Sequence, residues 1–130
     1  MDIKVTTKYL RISPRKVRPV LFGLRGKNAL EAQTQMKFTN KKGADNIFAV
    51  LNTGIAIAKE NDFDTNNLIV KSITCNEGPR LKRRHIGSRG RLFPIMKRTS
   101  HLNLVLETVE ASEPEAKEIN KEKETITKKQ

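Results

Sequence analysis

Residues 80–98 read RLKRRHIGSRGRLFPIMKR, and they constrain how the rest of the chain is arranged. The stretch carries eight Lys/Arg and one His with no acid. Free loops ordinarily mix charge signs for solubility, so an acid-free run makes sense chiefly where phosphates surround it. Most of its cations are Arg, whose planar fork grips phosphate bidentately and stacks on unpaired bases. Interleaved Leu81, Ile86, Leu92, Phe93, Ile95 and Met96 offer apolar surface for exposed bases or for neighbouring protein.

Both flanks of this stretch read as strands. Leu68 to Asn76 is rich in β-branched residues after an Asp64–Asn67 turn, and Leu102, Leu104 and Leu106 alternate with more polar neighbours. Twenty-three residues, Glu77 to Thr99, separate them. Ordinary hairpin loops have about two to five, so the simplest topology runs both strands past the body as an arm. At roughly 3.3 Å per residue, a ten-residue arm reaches about 30 Å. Gly87-Ser88-Arg89-Gly90 supplies its turn, and Pro94 is tolerated because a two-stranded ribbon has two free edges.

Towards the N-terminus, Ile3, Val5, Thr7 and Tyr9 alternate with polar residues, the period of a short half-buried strand. Ser13-Pro14 opens a helix with Ser13 as N-cap, Val17, Val20, Leu21 and Leu24 as its apolar face, and Gly26 as its stop. Pro19 sits inside it, where it kinks the backbone or leaves the Arg15 carbonyl unpaired. Asn28 and Glu31 resemble a capping box for a second helix to about Met36. A third helix, from about Asn40 to Asn61, has the stripe Ala44, Ile47, Phe48, Leu51, Ile55 and Ala58. Gly54 lies on that stripe and costs helix propensity, which points to a closely packed neighbour. The fold class expected is therefore α+β: a small three-stranded antiparallel sheet packed with three helices, two strands extended into a long basic hairpin arm at about 77–99.

Charge follows the same division. Residues 1–27 hold eight bases against Asp2, and residues 71–106 hold nine against Glu77. The middle, 28–70, has four bases and five acids, so two basic segments flank a nearly neutral core element in a chain of net charge +12. That balance implies a polyanionic partner. The chain is expected to be one domain over 1–110, followed by a charged, disordered tail over 111–130 that has too few apolar residues to offset ordering entropy. No apolar run approaches the roughly 18 residues of a membrane span, and the N-terminus reads as neither signal nor transit peptide. Neither a membrane nor a small-molecule substrate is expected as partner.

Catalytic and metal constellations are missing from the sequence. His85 and His101 stand apart from any Cys/His cluster, and Cys75 reads as a buried strand thiol in a chain from a reducing compartment. No Gly-rich phosphate loop or H-E-x-x-H occurs. No cofactor, metal or catalytic residue is assigned, and an enzyme is disfavoured. The competing reading is a free-standing nucleic-acid-binding regulator, since Ser13 to Lys27 with the next helix superficially suggests a helix-turn-helix.

Five segments carry a family resemblance in register. Arg11-Ile-Ser-Pro-Arg-Lys-Val-Arg18 with Arg25-Gly-Lys27 resembles the opening of the large-subunit ribosomal protein twenty-two family of the L series. Ala56-Ile-Ala58 falls at that family's Ala-rich helix end, and Asn76-Glu-Gly-Pro79 with Lys82-Arg83 at the start of its hairpin. Arg89-Gly-Arg91 and Lys97-Arg-Thr-Ser-His101 follow in order, so the resemblance covers about Tyr9 to Glu107. Three departures stand out: Ile86-Gly87 replaces a Pro followed by a basic residue, Leu92-Phe93-Pro94 is unusually apolar, and Gly23 replaces a polar residue.

The resemblance implies a ribosomal protein, in a cytoplasmic or organellar ribosome, whose body packs on large-subunit rRNA and supports subunit assembly. Its partners would be that rRNA, neighbouring large-subunit proteins and the nascent polypeptide. The rRNA-binding residues implied are Arg11, Ser13, Arg15, Lys16, Arg18, Arg25 and Lys27 in the first basic segment. Arg80, Lys82, Arg83, Arg84, Arg89 and Arg91 follow on the arm, then Lys97, Arg98, Thr99, Ser100 and His101 on its return. The tip, Arg84, His85, Ile86, Gly87, Ser88, Arg89 and Gly90, would line the peptide exit tunnel.

Overall fold

A computed structural model describes residues 2–108. The expected boundary near 110 and the charged tail lie outside them. The strands are β1 (Asp2–Leu10), β2 (Leu68–Ile86) and β3 (Leu92–Thr108); the helices are α1 (Pro14–Leu21), α2 (Ala29–Phe38) and α3 (Ala44–Glu60). All strand pairs are antiparallel, in the order β1-β3-β2. The α+β class follows, with β3 central.

Leu102, Leu104 and Leu106 enter the core from β3, opposite Ile3 and Val5 of β1. On β2 the apolar positions are Leu68, Val70, Ile73 and Cys75, a phase change that no regular strand can carry. The register slips between Val70 and Ser72. This bulge at Lys71 turns both apolar pairs inward. Lys71 itself faces out and bridges Asp2 at 3.1 Å and Glu107 at 3.0 Å, a contact across all three strands.

Helix α3 buries Ala44, Ile47, Val50, Leu51, Gly54, Ile55 and Ala58. Val50 stands where Phe48 was expected; Phe48 is only partly buried against the core edge. Gly54 is the point of closest approach: a Cβ there would lie 2.8 Å from Leu106 Cδ1 and 3.4 Å from Leu104 Cδ2. The helix begins at Ala44 rather than Asn40, because Gly43 at φ 126° breaks the helical backbone before it.

Helix α1 is also shorter than its apolar pattern suggests. It stops at Leu21, and Phe22 is already extended at φ −65°, ψ 123°. Pro19 has no N–H to return to Arg15, so the last turn is weakly tied. Leu24 is still fully buried, carried by a turn with Gly23 at φ 89° and Gly26 at φ 77°. Ser13 occupies the N-cap position, yet its hydroxyl makes no capping bond. Asn28 does cap α2, its Oδ1 accepting the Leu30 N–H at 2.9 Å, and that helix runs on to Phe38.

The β2–β3 ladder continues past the body from Arg80↔Arg98 to Ile86↔Leu92, with every side chain of these rungs exposed. Gly87 N–H closes the end on the Arg91 carbonyl at 2.7 Å, and Arg89 and Gly90 take left-handed φ values of 56° and 69°. Gly87 lies directly against the Phe93 ring, leaving no room for a Cβ.

Two stability outcomes follow. Gly54→Ala gains helix propensity of about 1 kcal/mol but overpacks the Leu104/Leu106 contact, a cost of roughly 1–3 kcal/mol. A net drop in denaturation midpoint is expected, and a rise would show that the leucines yield freely. Cys75→Ala removes a small buried hydrophobe and should cost roughly 1 kcal/mol by chemical denaturation.

Candidate nucleic-acid interface

Where the body passes into the arm, both edge strands lose register at one level of β3. β1 slips between Thr7, opposite Leu102, and Leu10, opposite Ser100; β2 slips between Glu77, opposite Ser100, and Arg80, opposite Arg98. The two irregularities splay the sheet beside the start of α1. A cleft of about 480 Å³ opens there, lined by Arg11, Ile12, Ser13, Lys16, Lys42, Leu81, Arg83, Lys97, Arg98 and Thr99. Six of those residues are cations and none is an acid. Such a lining is unfavourable in isolation and is relieved by an anion among the charges.

Seven of the residues implied by the resemblance thus meet in one cleft, from segments more than sixty positions apart. A second depression, of about 430 Å³, shares Ser13 and Arg98 and adds Pro14, Arg15, Arg18 and Glu77. The N-terminus of α1 lies between the two, with its dipole adding partial positive charge. The Arg80 guanidinium, 2.8 Å from Glu77, holds that carboxyl below the ordinary Glu range, with Arg98 and Arg18 adding to the effect. Glu77 therefore stays ionised and orients Arg80, while the surroundings remain strongly positive.

Several implied residues sit elsewhere. Arg18 and Arg25 reach the outer edge of β2, donating to the Cys75 carbonyl (Nε, 3.3 Å) and the Ile73 carbonyl (Nη2, 3.3 Å). Further along the same edge, Gly26 N–H donates to the Val70 carbonyl and Val70 N–H to the Lys27 carbonyl, each at 2.9 Å. Part of the first basic cluster is therefore structural as well as charged. The Lys27 side chain turns to Gln35, 2.8 Å away.

Ser100 differs from its neighbours in the motif. It is fully buried, with no hydrogen-bond partner of normal geometry for its hydroxyl, so its side chain lies beneath the surface rather than on it. It neighbours Cys75, whose thiol burial pushes up, offset in part by Ser100 and Arg18. Buried in the strand, the thiol acts as a small packing group. Thr99 is also buried, donating to the Pro79 carbonyl at 2.7 Å, and still lines the cleft.

On the arm, alternation sorts residues by face. Arg80, Lys82, Arg84 and Ile86 share one face with Arg98, Met96, Pro94 and Leu92; Leu81, Arg83 and His85 share the other with Lys97, Ile95 and Phe93. Most rungs pair a cation with an apolar residue, so both faces offer charge and apolar surface together. The tip residues Arg84 to Gly90 and the following Arg91 are all surface residues.

Lys42 lines the cleft but is not among the residues the sequence singles out. Lys42 follows Lys41 in a turn whose direction periodicity cannot give. Alternation places Tyr9 on a regular strand, whereas its φ is 60°. Among the described residues no group of three or more His, Cys, Asp or Glu is placed to hold a metal ion, and no helix is long and apolar enough to cross a membrane.

Comparison with known proteins agrees with this geometry. Residues 5–107 match the family model described as ribosomal protein L22p/L17e. The chain is 44% identical over 107 residues to the large ribosomal subunit protein uL22 of Clostridium novyi (strain NT), covering 82% of this chain and 96% of that protein. It is 45% identical over 119 residues to the protein of the same name from Staphylococcus aureus (strain JH9), covering 91% and 99% respectively. A sheet with its centre strand shared between body and ribbon, a cationic cleft at their junction and a match over nearly the whole described chain lead to one conclusion: the chain belongs to the ribosomal protein L22p/L17e family, a family of structural rather than catalytic proteins.

Proposed function

We propose that the chain is a structural constituent of the large ribosomal subunit that binds large-subunit rRNA and supports subunit assembly. In this reading a single domain, residues 1–110, docks on RNA through the cleft at the root of the arm. The tip, Arg84 to Gly90, reaches the nascent-peptide exit tunnel. The acid-free cationic cleft is the observation that carries this reading, and the relatives' own description as large-subunit proteins supports it.

The mechanism is electrostatic and geometric. RNA carries its charge on a regular backbone, and cations fixed at the right spacing displace condensed counterions on binding. Arg11, Arg83 and Arg98 offer forked donors, Lys16, Lys42 and Lys97 point charges, and the Ser13 hydroxyl is free of any capping bond. The cleft fixes where the body sits. The arm then lies among phosphates with Arg80, Lys82, Arg84, Arg89 and Arg91, while its apolar residues meet bases or neighbouring ribosomal proteins.

Neutralising about six phosphates should make log affinity for rRNA fall against log salt with a slope of about −4 to −5. Titration at several salt concentrations measures it, and a flat response would remove the cleft from the binding surface. A second outcome concerns the tip. Deleting Arg84 to Arg89 removes no core residue, so thermal stability of the body should change little. RNA affinity should fall only in part, while nascent-chain crosslinking from a photoreactive residue at position 88 should be present in ribosomes carrying the full-length protein. Ribosomes that contain the protein yet give no such crosslink would sink the tunnel assignment and leave RNA binding standing.

A further inference from the structure

We propose that Tyr9 and His101 form a platform on which a single unpaired nucleobase of RNA stacks, at the level where the body passes into the arm. The proposal rests on the RNA-binding reading and names a contact that reading does not contain. Its starting point is a backbone outlier. Tyr9 adopts φ 60°, a left-handed conformation that a bulky L-residue rarely takes, and it does so inside the β1 irregularity. Such outliers persist only where their surroundings hold them.

The surroundings here are specific. His101 Nδ1 accepts the Tyr9 backbone N–H at 3.0 Å. The two rings meet edge to face, centroids 4.9 Å apart at 87°. Gly78 also stands against the imidazole: a Cβ there would come within 3.1 Å of His101 Nε2 and 3.2 Å of Cε1, and closer still to the Thr99 hydroxyl. Gly78 belongs to the β2 irregularity, between Glu77 and Arg80. Both register breaks therefore converge on His101: one brings the Tyr9 ring to it, the other removes the side chain that would displace it. Bulges re-aim side chains in this way beside functional sites.

What the arrangement presents outward is the tyrosine. Tyr9 remains 63% exposed. A ring serving only as cover would be buried by what it covers, and strain in the backbone would be relieved by turning it inward. Arg11, two residues on, lies in the cationic cleft with Thr99. A phosphate held there would bring an adjoining nucleotide close to the ring. An aromatic face beside cations suits an unpaired base, since a base within a helix has its faces occupied by its neighbours.

The test uses the full chain and two short RNA hairpins, identical except that one carries a bulged 2-aminopurine, whose fluorescence falls on stacking. With the unaltered protein and with Tyr9→Phe, which keeps the ring, binding should quench the bulged base. With Tyr9→Gly, which suits the left-handed backbone, the quench should vanish. Affinity for the bulged hairpin should then fall about tenfold, within the range of a lost base–aromatic stack, while the fully paired hairpin binds as before. If Tyr9→Gly fails to fold, Tyr9→Asn takes its place, being tolerant of the same φ and lacking the ring. Undiminished quenching in the ring-less variant, equal loss on both hairpins, or loss with Tyr9→Phe would each overturn the stacking assignment while salt-dependent binding stands. Salt-independent binding of both hairpins by the unaltered protein would instead fail the RNA-binding reading itself, and this inference with it.

Discussion

Everything in this structure hangs on β3 being one strand with two environments. From Ser100 to Glu107 it is paired with β1 on one side and with β2 on the other, and its leucines fill the core. From Leu92 to Arg98 it is paired on one side only and is surrounded by solvent. A two-stranded ribbon alone is marginally stable in water. Here it grows out of a ladder already fixed by the core, so its first rungs are held at no further cost in register. The close approach of Gly54 to Leu104 and Leu106 fixes that ladder against α3, and through it the direction of the arm.

The handover between the two environments is also where the charge collects. A regular three-stranded sheet would have left no cleft; the two irregularities opposite Ser100 open the junction and let α1 bring Arg11, Ser13 and Lys16 beside Arg83, Lys97 and Arg98. Sequence distance and spatial function are related only through this break. Cations on the ribbon alone would define a line of charge. With those of the first segment they define a pocket with depth.

Much of this was legible in the residues. The helix stripe over Ala44–Ala58, the alternating leucines and the excess length between two strand patterns yielded the α+β class, because each is a local periodicity with one inexpensive solution. The motifs around Arg11–Arg18 and Lys97–His101 indicated the family. What could not be read depended on breaks in periodicity. The Lys71 bulge and the left-handed Tyr9 each follow from partners distant in the chain. The family motif places Ser100 among the rRNA-binding residues, while strand alternation with Leu102, Leu104 and Leu106 turns its side chain inward. Arg18 and Arg25 looked like pure surface charge; that their donors also engage β2 carbonyls is a tertiary fact.

That last feature bears on how the protein survives before it meets its partners. An edge strand with open carbonyls and amides is a template on which another copy can add a strand, and β2 is such an edge. Along its body section the Ile73 and Cys75 carbonyls are occupied by guanidinium groups, and Val70 is paired through both its backbone groups by the Gly26–Lys27 turn. A second copy approaching there would have to displace cations while bringing its own. The same arginines thus leave the edge with few open groups for another copy to pair with, while the exposed ribbon has dense like charge and Pro94 in their place.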